Sequence, residues 1–175
     1  KNYTGAQNVP LSDMDLKEIG RSCELVFTAL PHGQSLQVVP ELLSMNARVI
    51  DLSADFRYRD VSVYEEWYGV AHTAPDTQTE AVYGLPEINR EMIGSARLVA
   101  NPGCYTTCSI LALLPALKNG LVRASGIVID AKSGVSGAGR KSDLSYSFCE
   151  TEGNFKAYSA VRHRHTSEIE EQLSL

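Results

Sequence analysis

Cys23-Glu24-Leu25-Val26-Phe27-Thr28-Ala29 is a compact apolar run with the length and composition of a buried strand. Pro31-His32-Gly33 breaks it, and residues 35–45 then recur with helical periodicity around Pro40. Arg48-Val49-Ile50-Asp51-Leu52-Ser53 is a second run of the buried-strand type. Strand, helix and strand joined by short connections make a βαβ unit, whose two strands run parallel. The fold class is therefore α/β. Ligands of parallel sheets gather at the loops leaving the carboxyl ends of the strands. Here those loops are Ala29-Leu30-Pro31-His32-Gly33 and Ser53-Ala54-Asp55-Phe56-Arg57.

Outward from this unit, residues 1–20 are polar and turn-rich around Asn8-Val9-Pro10, and Leu11-Ser12-Asp13-Met14 reads as a short helix start capped by Ser12. Residues 58–90 are rich in aromatics (Tyr58, Tyr64, Trp67, Tyr68, Tyr83) and broken by Pro75 and Gly84-Leu85-Pro86. This segment reads as a lid or linker whose rings pack on the core, with a short helix from Asn89 to Gly94. The run Ala96-Arg97-Leu98-Val99-Ala100 is a further strand, and Asn101-Pro102-Gly103 turns the chain into a long helix from Cys104 to Lys118, closed by Asn119-Gly120. Ser125 to Ala131 and Phe155 to Val161 read as strands, and a helix is expected from Thr166.

The turn at 101–103 places Cys104 at a helix N-terminus. Partial positive charge and free N–H groups favour a thiolate there, and the same donors could hold an oxyanion. His165 lies 61 residues downstream (165 − 104), and Glu168 follows it by one helical turn, within reach of its imidazole. Cys104, His165 and Glu168 are thus a candidate nucleophile, acid/base and orienting carboxylate. His163 is the nearest rival to His165, and His32 and His72 are also available. Arg57 offers a planar fork to phosphate or carboxylate, or a salt bridge to Asp51, Asp55 or Asp60. The loop Ser133-Gly134-Val135-Ser136-Gly137-Ala138-Gly139-Arg140-Lys141 misses the P-loop pattern by one residue, because Arg140 displaces the lysine. It could still cradle an anion or a cofactor, or be a flexible turn with solvated cations. His163-x-His165 with Cys104 and Glu168 lacks the spacing of a zinc motif, and no metal site is assigned.

Bulk properties narrow the class. The 175 residues suffice for one good-sized domain, and 43% hydrophobic with 21% charged residues suits a folded chain. A net charge of −5 without a basic stripe argues against nucleic acid, and no apolar run reaches membrane-spanning length. Four irregularly spaced cysteines form no disulfide framework and read as reduced thiols in a cytoplasmic protein, with Cys23, Cys108 and Cys149 as small buried hydrophobes. The chain starts without Met and stops within an amphipathic run, which reads as a fragment.

Asn101-Pro102-Gly103-Cys104-Tyr105-Thr106-Thr107, the Ser133 to Lys141 loop and His163-Arg164-His165-Thr166-Ser167-Glu168-Ile169 resemble signatures of the N-acetyl-gamma-glutamyl-phosphate reductase family. Asp51-Leu52-Ser53-Ala54-Asp55-Phe56-Arg57 and Ala81-Val82-Tyr83-Gly84-Leu85-Pro86-Glu87 fit it too. The resemblance implies the end of a Rossmann-type dinucleotide-binding domain over residues 1–100. The α+β catalytic and dimerisation domain of a semialdehyde dehydrogenase would follow over 101–175. It implies NADPH-dependent reduction of an acyl phosphate, N-acetylglutamyl 5-phosphate, to the semialdehyde in arginine biosynthesis, by a homo-oligomer. Cys104 would be the nucleophile, His165 the acid/base and Glu168 its orienting group. Arg57, Asn101 and His163 would meet the substrate, and Pro31, Ser136 and Gly137 the cofactor. The family's Gly-rich dinucleotide turn is absent from this sequence, and Ser167 stands where Pro is common. Two other readings remain: a Cys-His acyl hydrolase or transferase that needs no hydride, and a scaffold domain with an inert thiol.

Overall fold

The computed structural model describes residues 12–139 and 141–174. Asn8-Val9-Pro10, Leu11 and Arg140, which entered the sequence reading, lie outside them. The chain divides into two compact units, residues 1–101 and 102–175.

The first unit is a four-stranded parallel sheet, β1 (Leu25–Thr28), β2 (Arg48–Asp51), β3 (Ala81–Tyr83) and β4 (Leu98–Ala100), in the order β1-β2-β4-β3. Helix α1 (Leu16–Ser22) precedes β1, and α2 (Ser35–Ser44) joins β1 to β2 as the βαβ pattern requires. Helices α3 (Val61–Tyr68) and α4 (Pro75–Thr79) lead to β3, and α5 (Pro86–Ser95) joins β3 to β4. The apolar face of α2 (Leu36, Val38, Val39, Leu42, Leu43) packs on Val49 and Leu98, and Phe56, Tyr58 and Tyr64 complete the core. At the amino ends of the strands two arginines hold helix C-termini. Arg48 donates to the carbonyls of Gly94 and Ala96 at the end of α5, and Arg97 donates to the carbonyl of Leu43 in the last turn of α2. Cations at helix C-termini satisfy carbonyls that have no partner within the helix.

Two expectations for this unit are corrected. The first helix is α1, and its N-cap is Asp15, whose carboxylate accepts from the amides of Lys17 and Glu18; Ser12 precedes it in irregular chain. Asp15 displaces Ser12 as the start because the apolar residues facing the core, Leu16 and Ile19, follow it directly. Residues 58–90 are also more than a lid or linker. They supply α3, α4 and β3, and β3 pairs with β4 inside the sheet. Tyr58 and Tyr64 are buried in the core, as their packing role predicted.

The second unit contains α6 (Cys104–Lys118), α7 (Phe148–Thr151) and α8 (His165–Leu173), with 3₁₀ turns at Val135–Ala138 and Leu144–Tyr146. Helices α6 and α8 pack together, burying Thr106, Ser109 and Ile110 of one and Ser167, Glu168 and Ile169 of the other. The strands expected at 125–131 and 155–161 do not form. A strand needs a hydrogen-bonded neighbour, and neither run has one among the described residues; Val128 is 90% exposed and Val161 99%. Cys23, Cys108 and Cys149 are exposed, against the expectation of burial. Cys108 lies one turn along α6 from Cys104 and shares its outward face, while the inward face is taken by Thr106, Ser109 and Ile110. No described helix is long and apolar enough to cross a membrane.

Candidate active site

In the second unit the chemistry gathers at the amino end of α6. Gly103 is its N-cap, in extended conformation, and the first helical hydrogen bond runs from the amide of Thr107 to the carbonyl of Gly103 at 2.8 Å. The amides of Cys104, Tyr105 and Thr106 therefore have no acceptor within the helix, which leaves a cluster of donors around the exposed Cys104 thiol.

Glu168 is fully buried and accepts the amide of Gly103 at 3.0 Å. Through this bond the carboxylate holds the turn that carries the thiol. The imidazole itself lies against Gly103: a Cβ there would come within 2.5 Å of His165 Nε2 and 2.7 Å of Cε1. Only glycine lets the ring lie so close to the helix start.

The two histidines have different surroundings. His163 Nδ1 accepts the main-chain N–H of His165 at 3.1 Å, so His163 caps the start of α8 with its ring. That bond puts the ring proton of neutral His163 on Nε2. Burial, then the charge of Arg164, lower the His163 pKa from its ordinary value. The rings of His163 and His165 stand edge to face with centroids 4.8 Å apart. Tyr105 touches both, at 5.2 Å from His163 and 6.0 Å from His165, and Tyr158 lies 5.5 Å from His163. Loss of water around its hydroxyl and a hydrogen bond to Tyr105 push the Tyr158 phenol up, and Cys104 is close enough to add to the effect. Tyr158 therefore remains a neutral hydroxyl beside the thiol. Sequence reasoning missed both tyrosines. Tyr105 had the signal of adjacency to Cys104, whereas nothing local marked Tyr158. Ser136 and Gly137 lie on the exposed 3₁₀ turn 135–138, where the Ser133 hydroxyl occupies the space a Gly137 side chain would need.

In the first unit Arg57, 7% exposed, donates from Nε to the carbonyl of Asn101 at 2.7 Å and from Nη2 to that of Leu52 at 2.9 Å. The amide of Asn101 donates in turn to the carbonyl of Asp51 at 2.8 Å. The guanidinium thus pins the end of β4 to the loop after β2. Asp51, fully buried, accepts from the hydroxyls of Thr28, Ser35 and Ser53. Pro31 lies in the exposed loop after β1. Among the described residues no group of three or more His, Cys, Asp or Glu is arranged to hold a metal ion.

A parallel α/β sheet is thus followed by a helix that starts on an exposed thiol, with the His165 ring against its N-cap; this chain is a semialdehyde dehydrogenase by family. The chain belongs to that family. Residues 1–96 match the model of the semialdehyde dehydrogenase NAD binding domain, and residues 104–175 match that of the semialdehyde dehydrogenase dimerisation domain. Among curated proteins it is similar to the N-acetyl-gamma-glutamyl-phosphate reductase of Acetivibrio thermocellus, 55% identical over 176 residues, covering 99% of this chain and 51% of that protein. The reductase of the same name from Desulforudis audaxviator is 56% identical over 173 residues, 99% of this chain and 49% of its own. That of Symbiobacterium thermophilum is 58% identical over 153 residues, 87% and 44% respectively. The chain spans about half the length of the curated relatives it matches.

Proposed function

We propose that this chain carries the thiol and part of the cofactor edge of an NADPH-dependent N-acetyl-gamma-glutamyl-phosphate reductase, acting in arginine biosynthesis in the cytoplasm as a homo-oligomer. The observation that carries the reading is the start of α6. An exposed thiol stands there at the head of a helix, on a turn held by a buried carboxylate, with the His165 ring against the N-cap. The oligomer is supported by the dimerisation-domain match over 104–175.

The chemistry follows from these groups. Cys104 as thiolate attacks the acyl carbon of the acyl phosphate. Negative charge develops on the carbonyl oxygen, and the amides at the head of α6 are the donors available to it. Collapse breaks the bond between carbon and phosphate oxygen, phosphate leaves, and the acyl group remains on Cys104 as a thioester. When bound, the nicotinamide cofactor supplies the two-electron reduction that turns the thioester into the aldehyde and frees the thiolate. His165, whose ring lies against the N-cap, would take the proton from the Cys104 thiol, while His163 is engaged through Nδ1 in holding α8. Arg57 and Asn101 are the candidate holders of the substrate's anionic groups in the first unit.

The residues present fit one end of a nicotinamide dinucleotide. The loop 29–33 leaves the carboxyl end of a parallel strand, and its Pro31 and His32 are exposed. Pro31 would meet the nicotinamide from this loop; Ser136 and Gly137, on their own exposed turn, are the other cofactor candidates. The test is oxidation of N-acetylglutamate semialdehyde by the full-length protein. Turnover that requires both NADP and phosphate, and is lost in Cys104→Ser, supports the reductase. Ester hydrolysis without nicotinamide would overturn it in favour of a hydrolase.

A further inference from the structure

We propose that Asp55 is a positioning residue for the loop after β1, with Tyr64 holding its carboxylate, so that the main chain of residues 29–33 is set to receive the nicotinamide end of the cofactor. This deepens the cofactor reading above and rests on it.

Asp55 is 1% exposed, and both of its carboxylate oxygens face the amide of Gly33, at 2.9 and 2.8 Å. Gly33 turns that amide inward by adopting φ +86°, and a Cβ there would meet Val70 Cγ1 at 3.1 Å. The two loops are tied reciprocally, because His32 Nδ1 accepts the amide of Ala54 at 3.2 Å. One loop thus gives an acceptor to the other and takes one back.

The carboxylate is itself held. The Tyr64 hydroxyl, on a side chain with no exposed surface, donates to Asp55 Oδ1 at 2.8 Å. Burial, then the hydrogen bond to Asp55, push the Tyr64 phenol up, so it stays a donor. His72 Nε2 meets the Asp55 carbonyl at 2.8 Å, and the Asp55 amide donates to the Ser53 hydroxyl at 3.0 Å. Three segments therefore converge on one residue: the loop after β1, the loop after β2 and the segment around α3.

Burying a carboxylate is costly, and a neutral amide could accept one N–H more cheaply. A charged acceptor held on several sides is what a loop needs when small displacements matter to a bound ligand. A purely structural role predicts uniform loss of stability, whereas a positioning role predicts a selective effect on the cofactor.

The test uses full-length protein with Asp55→Asn and, in case that variant does not fold, Tyr64→Phe, which keeps the ring and removes only the donor. NADPH binding is followed by its fluorescence, and the Gly33 amide by hydrogen exchange without cofactor. The expected result is a rise in the NADPH dissociation constant of roughly tenfold for Asp55→Asn and roughly threefold for Tyr64→Phe. Gly33 exchange should quicken while Phe27 and Ile50 in the sheet are unchanged, and the KM for the acyl phosphate should stay within about twofold. Unchanged Gly33 exchange, an unchanged dissociation constant, or an acyl-phosphate KM that rises in step would overturn the proposal alone. Wild-type protein that fails to bind NADPH would overturn the cofactor reading and the proposal with it.

Discussion

Glu168 accepts the amide of Gly103 at 3.0 Å, across 65 residues of sequence and with none of its own surface exposed. The N-cap of α6 is a glycine and has no side chain to offer the helix, and the preceding residue, Pro102, has no N–H. The carboxylate on α8 is what fixes the turn from which the thiol projects. An anion at this point also opposes the positive end of the α6 dipole.

Gly103→Ala should place a methyl group inside the space of the His165 ring, since a Cβ there lies 2.5 Å from Nε2. The imidazole must move, and if it is the acid/base a displacement of about 1 Å should lower turnover by roughly 10²-fold. Steady-state kinetics of the full-length variant should show this loss in kcat, with near-normal NADPH binding.

Exchange of the two histidines separates their roles. His165→Asn should slow turnover by roughly 10²–10⁴-fold. His163→Ala removes the ring that accepts the His165 amide, and should cost about 1 kcal/mol of stability, as loss of a helix cap does. A larger kcat effect at His163 than at His165, measured side by side, would reverse the assignment.

His163 also predicts a pH dependence of stability. Its pKa is lowered from 6.5, so the folded protein binds this proton more weakly than the unfolded chain. Just below the ordinary value the unfolded state carries more protons, and stability falls as pH drops through the window down to the lowered value. Protonated Nδ1 can no longer accept the His165 amide. Wild type should lose more melting temperature than His163→Gln between neutral and mildly acidic pH; equal losses would count against it.

Arg57→Ala leaves the carbonyls of Asn101 and Leu52 without this donor in a buried setting. Chemical unfolding should report a loss of about 2–4 kcal/mol. If Arg57 also holds the acyl phosphate, the substrate KM should rise in Arg57→Ala beyond what a destabilised control of equal unfolding midpoint shows.

Both thiols on the outward face of α6 are exposed, so iodoacetamide should reach Cys104 and Cys108. Cys104 sits at the helix start and Cys108 one turn inside, so Cys104 should alkylate faster. Peptide mass spectrometry at short times reads the difference.

Much of the first unit is legible from local pattern. The runs at 23–29 and 48–53 contain β1 and β2, and residues 35–45 contain α2, because buried parallel strands and an amphipathic helix each leave a periodic mark. Helix α6 spans Cys104 to Lys118, as its turn and its closing Asn-Gly indicate. The second unit is less legible for a definite reason. Ile127-Val128-Ile129 has strand composition, yet a strand is a relation between two segments, and one run cannot state its partner. The Glu168–Gly103 bond is invisible for the same reason. Helical spacing speaks only for neighbours along α8, and the Gly103 amide that Glu168 accepts lies 65 residues away in sequence. The cluster of Tyr105, Tyr158, His163 and His165 is likewise assembled by folding rather than by spacing.

The arginines at the amino ends of the strands have a consequence for the electrical layout of the first unit. Arg48 and Arg97 meet helix carbonyls there, while Asp51 at the carboxyl end of β2 and Asp55 in the loop after it meet O–H and N–H donors. Basic groups thus stand at one end of the sheet against main-chain carbonyls, and acidic groups at the other against hydroxyl and amide donors. Reversing the charge at either end would therefore lose those contacts. The unit has a polarity built into its scaffold, and its two edges are not interchangeable as places to graft a new loop.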